Sequence, residues 1–161
     1  MTAEQYEKWS RPFRRPAWIV CLKAINQGVT LLMFFAYCGL VIWLAWAGRR
    51  EVYPIVCVPA LFFAALSLLR RWINAPRPYE VLKIEPLIVK NKKGNSMPSR
   101  HVASACIISM AFASLFGAWS IPFFVLSALL AFVRVIGGIH FPADAVVGAV
   151  LGILFGFILF L

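Results

Sequence analysis

Past Arg100 the chain carries only four ionisable side chains: His101, Arg134, His140 and Asp144. All stand at the ends of apolar runs, where a charge near hydrocarbon costs about 2.5–3.5 kcal/mol. Asp144 is the only aspartate, and His101 and His140 are the only histidines. His140 and Asp144 lie four apart across Pro142. Pro142 suits the first position of a helix, which puts Asp144 in that helix's first turn. The carboxylate can then reach one ring nitrogen of His140, fix its tautomer and leave the other nitrogen as nucleophile or base. The bland alternative for these residues is a structural ion pair or snorkelling at the interface.

Pro98-Ser99-Arg100-His101 stands where another apolar run begins. Ser99 is the expected N-cap, and the amides after it form an anion site of backbone at a helix start. Arg100 adds charge there and His101 a proton donor. Arg70, Arg77 and Arg134 supply guanidinium forks suited to bidentate grip on phosphate. This set suggests a site for a phosphate monoester or diphosphate. A lone aspartate cannot assemble the usual carboxylate magnesium site. The expected chemistry is therefore metal-free and needs no cofactor. Cys21, Cys38, Cys57 and Cys106 sit in apolar runs and read as inert thiols.

These residues are positioned by a chain of 161 residues, 62% hydrophobic, with mean hydropathy +0.84. Soluble domains hold roughly 45–50% apolar residues, so a soluble fold is excluded, as are disordered, collagenous and disulfide-scaffold classes. The expected fold is all-α: one integral membrane domain over 1–161, a bundle of about five transmembrane helices. The expected spans are Gly28–Ala47, Pro54–Leu69, two short helices within Val102–Val133 broken near Gly117 and Pro122, and Ala145–Leu161. Residues 1–27 form a basic segment in which Ala17–Gln27 is either an interfacial helix or an extension of the first span. The polar loop over residues 70–100 and the turn at Gly137–Ala143 fall on one membrane face, where they are free to meet. The net charge of +10 points to anionic headgroups or an anionic substrate, with no nucleic acid as partner. Lys83, Lys90, Lys92 and Lys93 either dock the anionic membrane surface or form a solvated loop. Gly148, Gly152 and Gly156 repeat on one helix face, for close packing inside the bundle or for a homodimer face.

The chain resembles the type 2 phosphatidic acid phosphatase superfamily, over about Pro54–Leu161. The family pattern has Lys, six residues, then Arg-Pro, matched by Arg70 and Arg77-Pro78 with Arg for Lys. Pro-Ser-Gly-His is matched by Pro98-Ser99-Arg100-His101 with Arg for Gly. Ser-Arg, five residues, His, three residues, Asp is matched by Arg134, His140 and Asp144, with Val133 for Ser. Arg71 falls one step out of register and reads as an interface charge. The resemblance implies a multi-pass cell-membrane phosphatase acting on a lipid phosphate, of phosphatidate or polyprenyl diphosphate type. It implies that His140 attacks phosphorus, Asp144 orients it and His101 protonates the leaving oxygen. It also implies that Arg70, Arg77, Ser99, Arg100 and Arg134 hold the phosphate. The rival reading is a non-enzymatic protein that binds or moves anionic lipid, a role to which two histidines and an aspartate are superfluous.

Overall fold

The computed structural model describes all 161 residues, and every regular element is helical. Four segments are long and apolar enough to cross a membrane: Pro16–Trp46, Val52–Val81, Arg100–Ile136 and Pro142–Phe160. The third is a hairpin. Its first arm, α5 (Arg100–Phe116), stops where Gly117 takes φ +56°, a left-handed conformation that costs glycine little. A 3₁₀ turn follows, then Pro122 opens the returning arm, α6 (Ile121–Ile136). The ring of Phe112 stacks on Phe123 at 3.9 Å, and Ser109 bonds Ser127 at 3.0 Å, so the arms run antiparallel. Five membrane helices result.

The N-terminus begins with α1 (Ala3–Ser10), started by a Thr2–Gln5 capping box. That signature is legible in Thr2-Ala-Glu-Gln5, although the segment reads at first as basic tail. The first membrane helix, α2 (Pro16–Trp46), is continuous from Pro16. Ala17–Gln27 is thus the extension of the first span. At 1.5 Å per residue, 31 residues reach about 46 Å, well beyond the roughly 30 Å of hydrocarbon. The return helix α3 (Val52–Ile73) ends at Asn74 in the left-handed region. The one-turn helix α4 (Pro78–Val81) interrupts the polar loop. The last helix is α7 (Pro142–Gly156).

The centre of the bundle is α5, eight of whose residues are buried. Gly148, Gly152 and Gly156 of α7 face it. A Cβ at Gly148 would lie 2.7 Å from the Ser99 carbonyl oxygen, and one at Gly152 would lie 2.5 Å from that of Ala103. Side-chain-free contact lets the two backbones meet. This glycine face packs against α5 within the chain. Phe35, Ile42, Leu61 and Leu68 point outward, as lipid-facing positions do. Trp46 and Trp119 ring one face, and Trp18 and Trp72 the other. On this second face the α1 segment, the polar loop and the Gly137–Phe141 turn come together: the Leu87 amide bonds the Tyr6 hydroxyl at 3.3 Å.

Candidate active site

The turn after α6 fixes His140. The Ile139 and His140 amides both bond the Arg134 carbonyl, at 3.1 and 3.3 Å. Gly138 sits at φ +74°, and a Cβ there would come within 2.7 Å of the Tyr6 hydroxyl, so both conformation and space ask for glycine. The fold-back delivers His140 just ahead of α7, with Asp144 in the first turn. His140 Nδ1 lies 3.4 Å from Asp144 Oδ2, and both side chains are buried. The Phe141 amide also donates to Asp144 Oδ2, at 3.0 Å.

Ser96 completes this pair. Its hydroxyl donates a short hydrogen bond to Asp144 Oδ2, and its oxygen lies 3.3 Å from His140 Nδ1. With its proton turned to the carboxylate, the Ser96 oxygen is free to accept Nδ1–H. The network therefore assigns the proton to Nδ1 and leaves the Nε2 lone pair free. Burial pushes the His140 pKa down to about 4, against the upward pull of hydrogen-bonded Asp144. The ring is neutral at neutral pH. Ser96 lies 44 residues from His140 in a loop without periodicity, and no sequence signal singles it out.

At the start of α5, Ser99 occupies the N-cap position with extended backbone but makes no side-chain cap bond. Its Oγ is buried without a partner, contrary to the capping expectation. The reason is a backbone tie: the Ser99 amide donates to the Asp144 carbonyl at 2.8 Å, which fixes the residue against α7. The amides of Arg100, His101 and Val102 have no backbone acceptor, so the helix start remains a donor set for an anion.

The three family arginines are used differently. Arg70 donates to the carbonyls of Ser96 (3.2 Å), Pro98 and Asn95. It ties down the loop that carries Ser96, and its side chain also borders the cavity. Arg77 donates Nε–H to Gly94 at 3.1 Å, and its buried Nη1 has no partner. Glu80 holds the Arg77 amide at 2.7 Å and the Gly94 amide at 3.0 Å, closing that loop. Arg134 donates Nη1–H to Asn26 Oδ1 at 3.1 Å, and its buried Nε has no partner. Asn26 and Arg134 lie 108 residues apart, so the contact is invisible to local pattern.

Between these groups lies a cavity of about 500 Å³. His101 and His140 line it together with five arginines (70, 71, 77, 100 and 134) and Lys90, Lys92 and Lys93; no carboxylate does. Three of the four loop lysines thus line the cavity. Arg71, though exposed, reaches its mouth. Burial, with Arg134 and Arg77 nearby, lowers the Lys90 pKa to about 8. Arg100 stands 5.2 Å over the Phe63 ring, the single hydrophobic residue of the lining. Buried guanidinium donors without partners are costly, and a tetrahedral oxyanion is the ligand that relieves them. Beside it stand a ring with a free lone pair and a second ring. No three His, Cys, Asp or Glu side chains converge anywhere in the chain, and the cationic lining repels a divalent ion.

The sequence pattern of the PAP2 superfamily matches residues 55–161. Lipid A 1-phosphatase of Rhizobium etli is 26% identical over 152 residues, covering 87% of this chain and 62% of that protein. The chain thus spans less than two thirds of that relative's length. The crystal structure of Aquifex aeolicus LpxE superposes with a TM-score of 0.79 at 24% identity, over 98% of this chain and 93% of that one. A PAP2-type phosphatidylglycerolphosphate phosphatase from Bacillus subtilis superposes with a TM-score of 0.54 at 20% identity, over 96% and 90%. Both superpositions are likenesses of fold.

Proposed function

Since the chain belongs to the PAP2 superfamily, we propose that it is a metal-independent phosphatase of the cell membrane. Its substrates are lipid phosphate monoesters or polyprenyl diphosphates. The observation that carries this reading is the pair of buried, unpartnered guanidinium donors, Arg77 Nη1 and Arg134 Nε, in a cavity lined by both histidines. His140 Nε2 attacks phosphorus, an N–P bond forms, and the P–O bond to the lipid breaks. His101 gives its proton to the departing oxygen, then takes one from the water that attacks the phosphohistidine. Inorganic phosphate and neutral His140 result. Asp144, with Ser96 between them, offsets the positive charge that develops on the His140 ring. Arg77, Arg134, Arg100 and the amides that open α5 hold the non-bridging oxygens as charge accumulates. Arg70 positions the loop. A protein that only binds or moves anionic lipid has no use for the Ser96 link between His140 and Asp144.

The test is phosphate release by the purified full-length protein in detergent micelles with excess chelator. Turnover of at least one lipid phosphate, inhibition by vanadate, and an acid-labile phosphoenzyme lost in His140→Ala are the expected results. Activity that vanishes in chelator and returns with Mg²⁺ overturns the metal-free mechanism. A His140→Ala variant retaining more than a few per cent of turnover overturns the nucleophile.

A further inference from the structure

The face of α2 that meets α6 carries Leu22, Asn26, Val29 and Met33, spaced four, three and four. Leu22 shares a buried cluster with Val133, and Val29 and Met33 share one with Leu130. Asn26 is the polar member of this stripe, and it stands against Arg134. Arg134 is only 1% exposed, and a guanidinium offers donors alone. The Asn26 side chain must therefore turn its oxygen to the arginine, whose Nη1–H it accepts at 3.1 Å. Buried charges are ordinarily matched by an opposite charge. Here the matching group is a neutral amide. The same choice recurs around the cavity. Arg70 donates to the carbonyls of Ser96, Pro98 and Asn95, and Arg77 to that of Gly94. The only arginine in ion-pair contact with a carboxylate is Arg49, with Glu51, at the other membrane face. Glu80 is spent on two backbone amides, and Asp144 on Ser96 and the Phe141 amide.

We propose that Asn26 is a positioning residue for anion binding: its neutral side-chain oxygen orients Arg134 in the cavity without cancelling the charge that a phosphate meets. Its use in turnover rests on the phosphatase reading above. A dipole fixes the direction of a guanidinium through one hydrogen bond, whereas a carboxylate at the same place pairs with it and adds a negative charge beside the anion. Tethering Arg134 by Nη1 leaves its buried Nε without a partner, on the wall of a cavity that no carboxylate lines. Asn26 stands outside residues 55–161, where the family pattern matches. The first membrane helix therefore supplies the tether, and α2 acts on the site through one side chain.

The experiment titrates inorganic phosphate and vanadate into the full-length protein in micelles and follows the heat of binding, with melting temperature alongside. It compares wild type with Asn26→Asp, Asn26→Leu and Gln27→Glu. Aspartate has the shape of asparagine and pairs with Arg134, so Asn26→Asp keeps or raises the melting temperature while both anions bind about tenfold more weakly or worse. Asn26→Leu frees the guanidinium without adding charge, and its loss of affinity is smaller. Gln27→Glu adds the same charge at an exposed neighbouring position, and it binds both anions within about twofold of wild type. An Asn26→Asp variant that binds as tightly as wild type overturns the proposal, because a merely structural tether tolerates that exchange. An Asn26→Leu variant that loses melting temperature but no affinity overturns it equally. A loss in Gln27→Glu as large as in Asn26→Asp assigns the effect to the general field and overturns it too. Phosphate release from a lipid phosphate is followed on the same samples. Wild-type protein that binds the anions but releases no phosphate overturns the phosphatase reading, and the titrations still decide Asn26. Wild-type protein that binds neither anion overturns both.

Discussion

Replacing Ser96 with alanine removes one hydroxyl from the His140–Asp144 pair and leaves every arginine in place. The hydroxyl donates to Asp144 and lies 3.3 Å from His140 Nδ1. Without it, Nδ1–H faces Asp144 Oδ2 across 3.4 Å, too long for a good hydrogen bond. Asp144 keeps the Phe141 amide and stays ordered. A hydrogen bond to a charged group contributes about 1.5–3 kcal/mol. At about 1.4 kcal/mol per tenfold, that is a loss of roughly 10- to 150-fold in rate. On the proposed mechanism the loss falls on kcat, because positive charge develops on His140 only as phosphorus is attacked, whereas substrate binding rests on the arginines. Ser96→Thr, which keeps the hydroxyl, retains most of the activity. The assay is steady-state phosphate release from a lipid phosphate in micelles, with melting temperature measured alongside. A Ser96→Ala variant with kcat within twofold of wild type, or one that loses only KM, refutes the relay.

Titration gives the next expectation. His140 loses its lone pair only below about pH 4, so kcat/KM keeps its acid limb near 4 and not near the ordinary histidine value of about 6.5. Lys90 loses its charge as pH rises through about 8, which weakens anion binding; Lys90→Arg moves that alkaline limb upward, and an unmoved limb assigns it to another group. Gly152→Leu places a side chain 2.5 Å from the Ala103 carbonyl; overpacking of this kind costs about 1–3 kcal/mol, read as a lower melting temperature in detergent, and an unchanged melting temperature contradicts the α5–α7 contact. Arg100→Gly removes a charge from the cavity lining, so polyprenyl diphosphate turnover falls about tenfold more than phosphatidate turnover; equal losses make Arg100 general electrostatics.

The features legible in the sequence are those with a short-range physical signature. Uncharged runs mark the spans, because charge in hydrocarbon is expensive. Pro142 and the four-residue step from His140 to Asp144 place a carboxylate beside a ring within one turn. The break at Gly117 and Pro122 turns an overlong apolar run into a hairpin. What stayed hidden are contacts closed by tertiary structure. Ser96 reaches His140, and Asn26 reaches Arg134, across distances in sequence that no periodicity spans. Arg70 has the right type and spacing for phosphate, yet three of its five N–H donors go to loop carbonyls. Ser99 has the right type for a cap, yet its backbone is tied to Asp144 and its hydroxyl stays free. Residue type declares chemical capacity; only the fold decides which neighbour uses it.

Two of the helices that meet at the site are short. With 17 residues in α5 and 16 in α6, they measure about 26 and 24 Å, against roughly 30 Å of hydrocarbon. A bilayer meeting such walls deforms inward at a cost of fractions of a kcal/mol per Å. Such a dimple would lower the headgroups beside the cavity, so that on the proposed function a lipid phosphate would meet His101 and His140 without being pulled clear of its leaflet. For the proposed activity, membrane thickness would then be an effector: host lipids with shorter chains would lessen the deformation and bring substrate to the level of the histidines, while thick, stiff membranes would hold it above them.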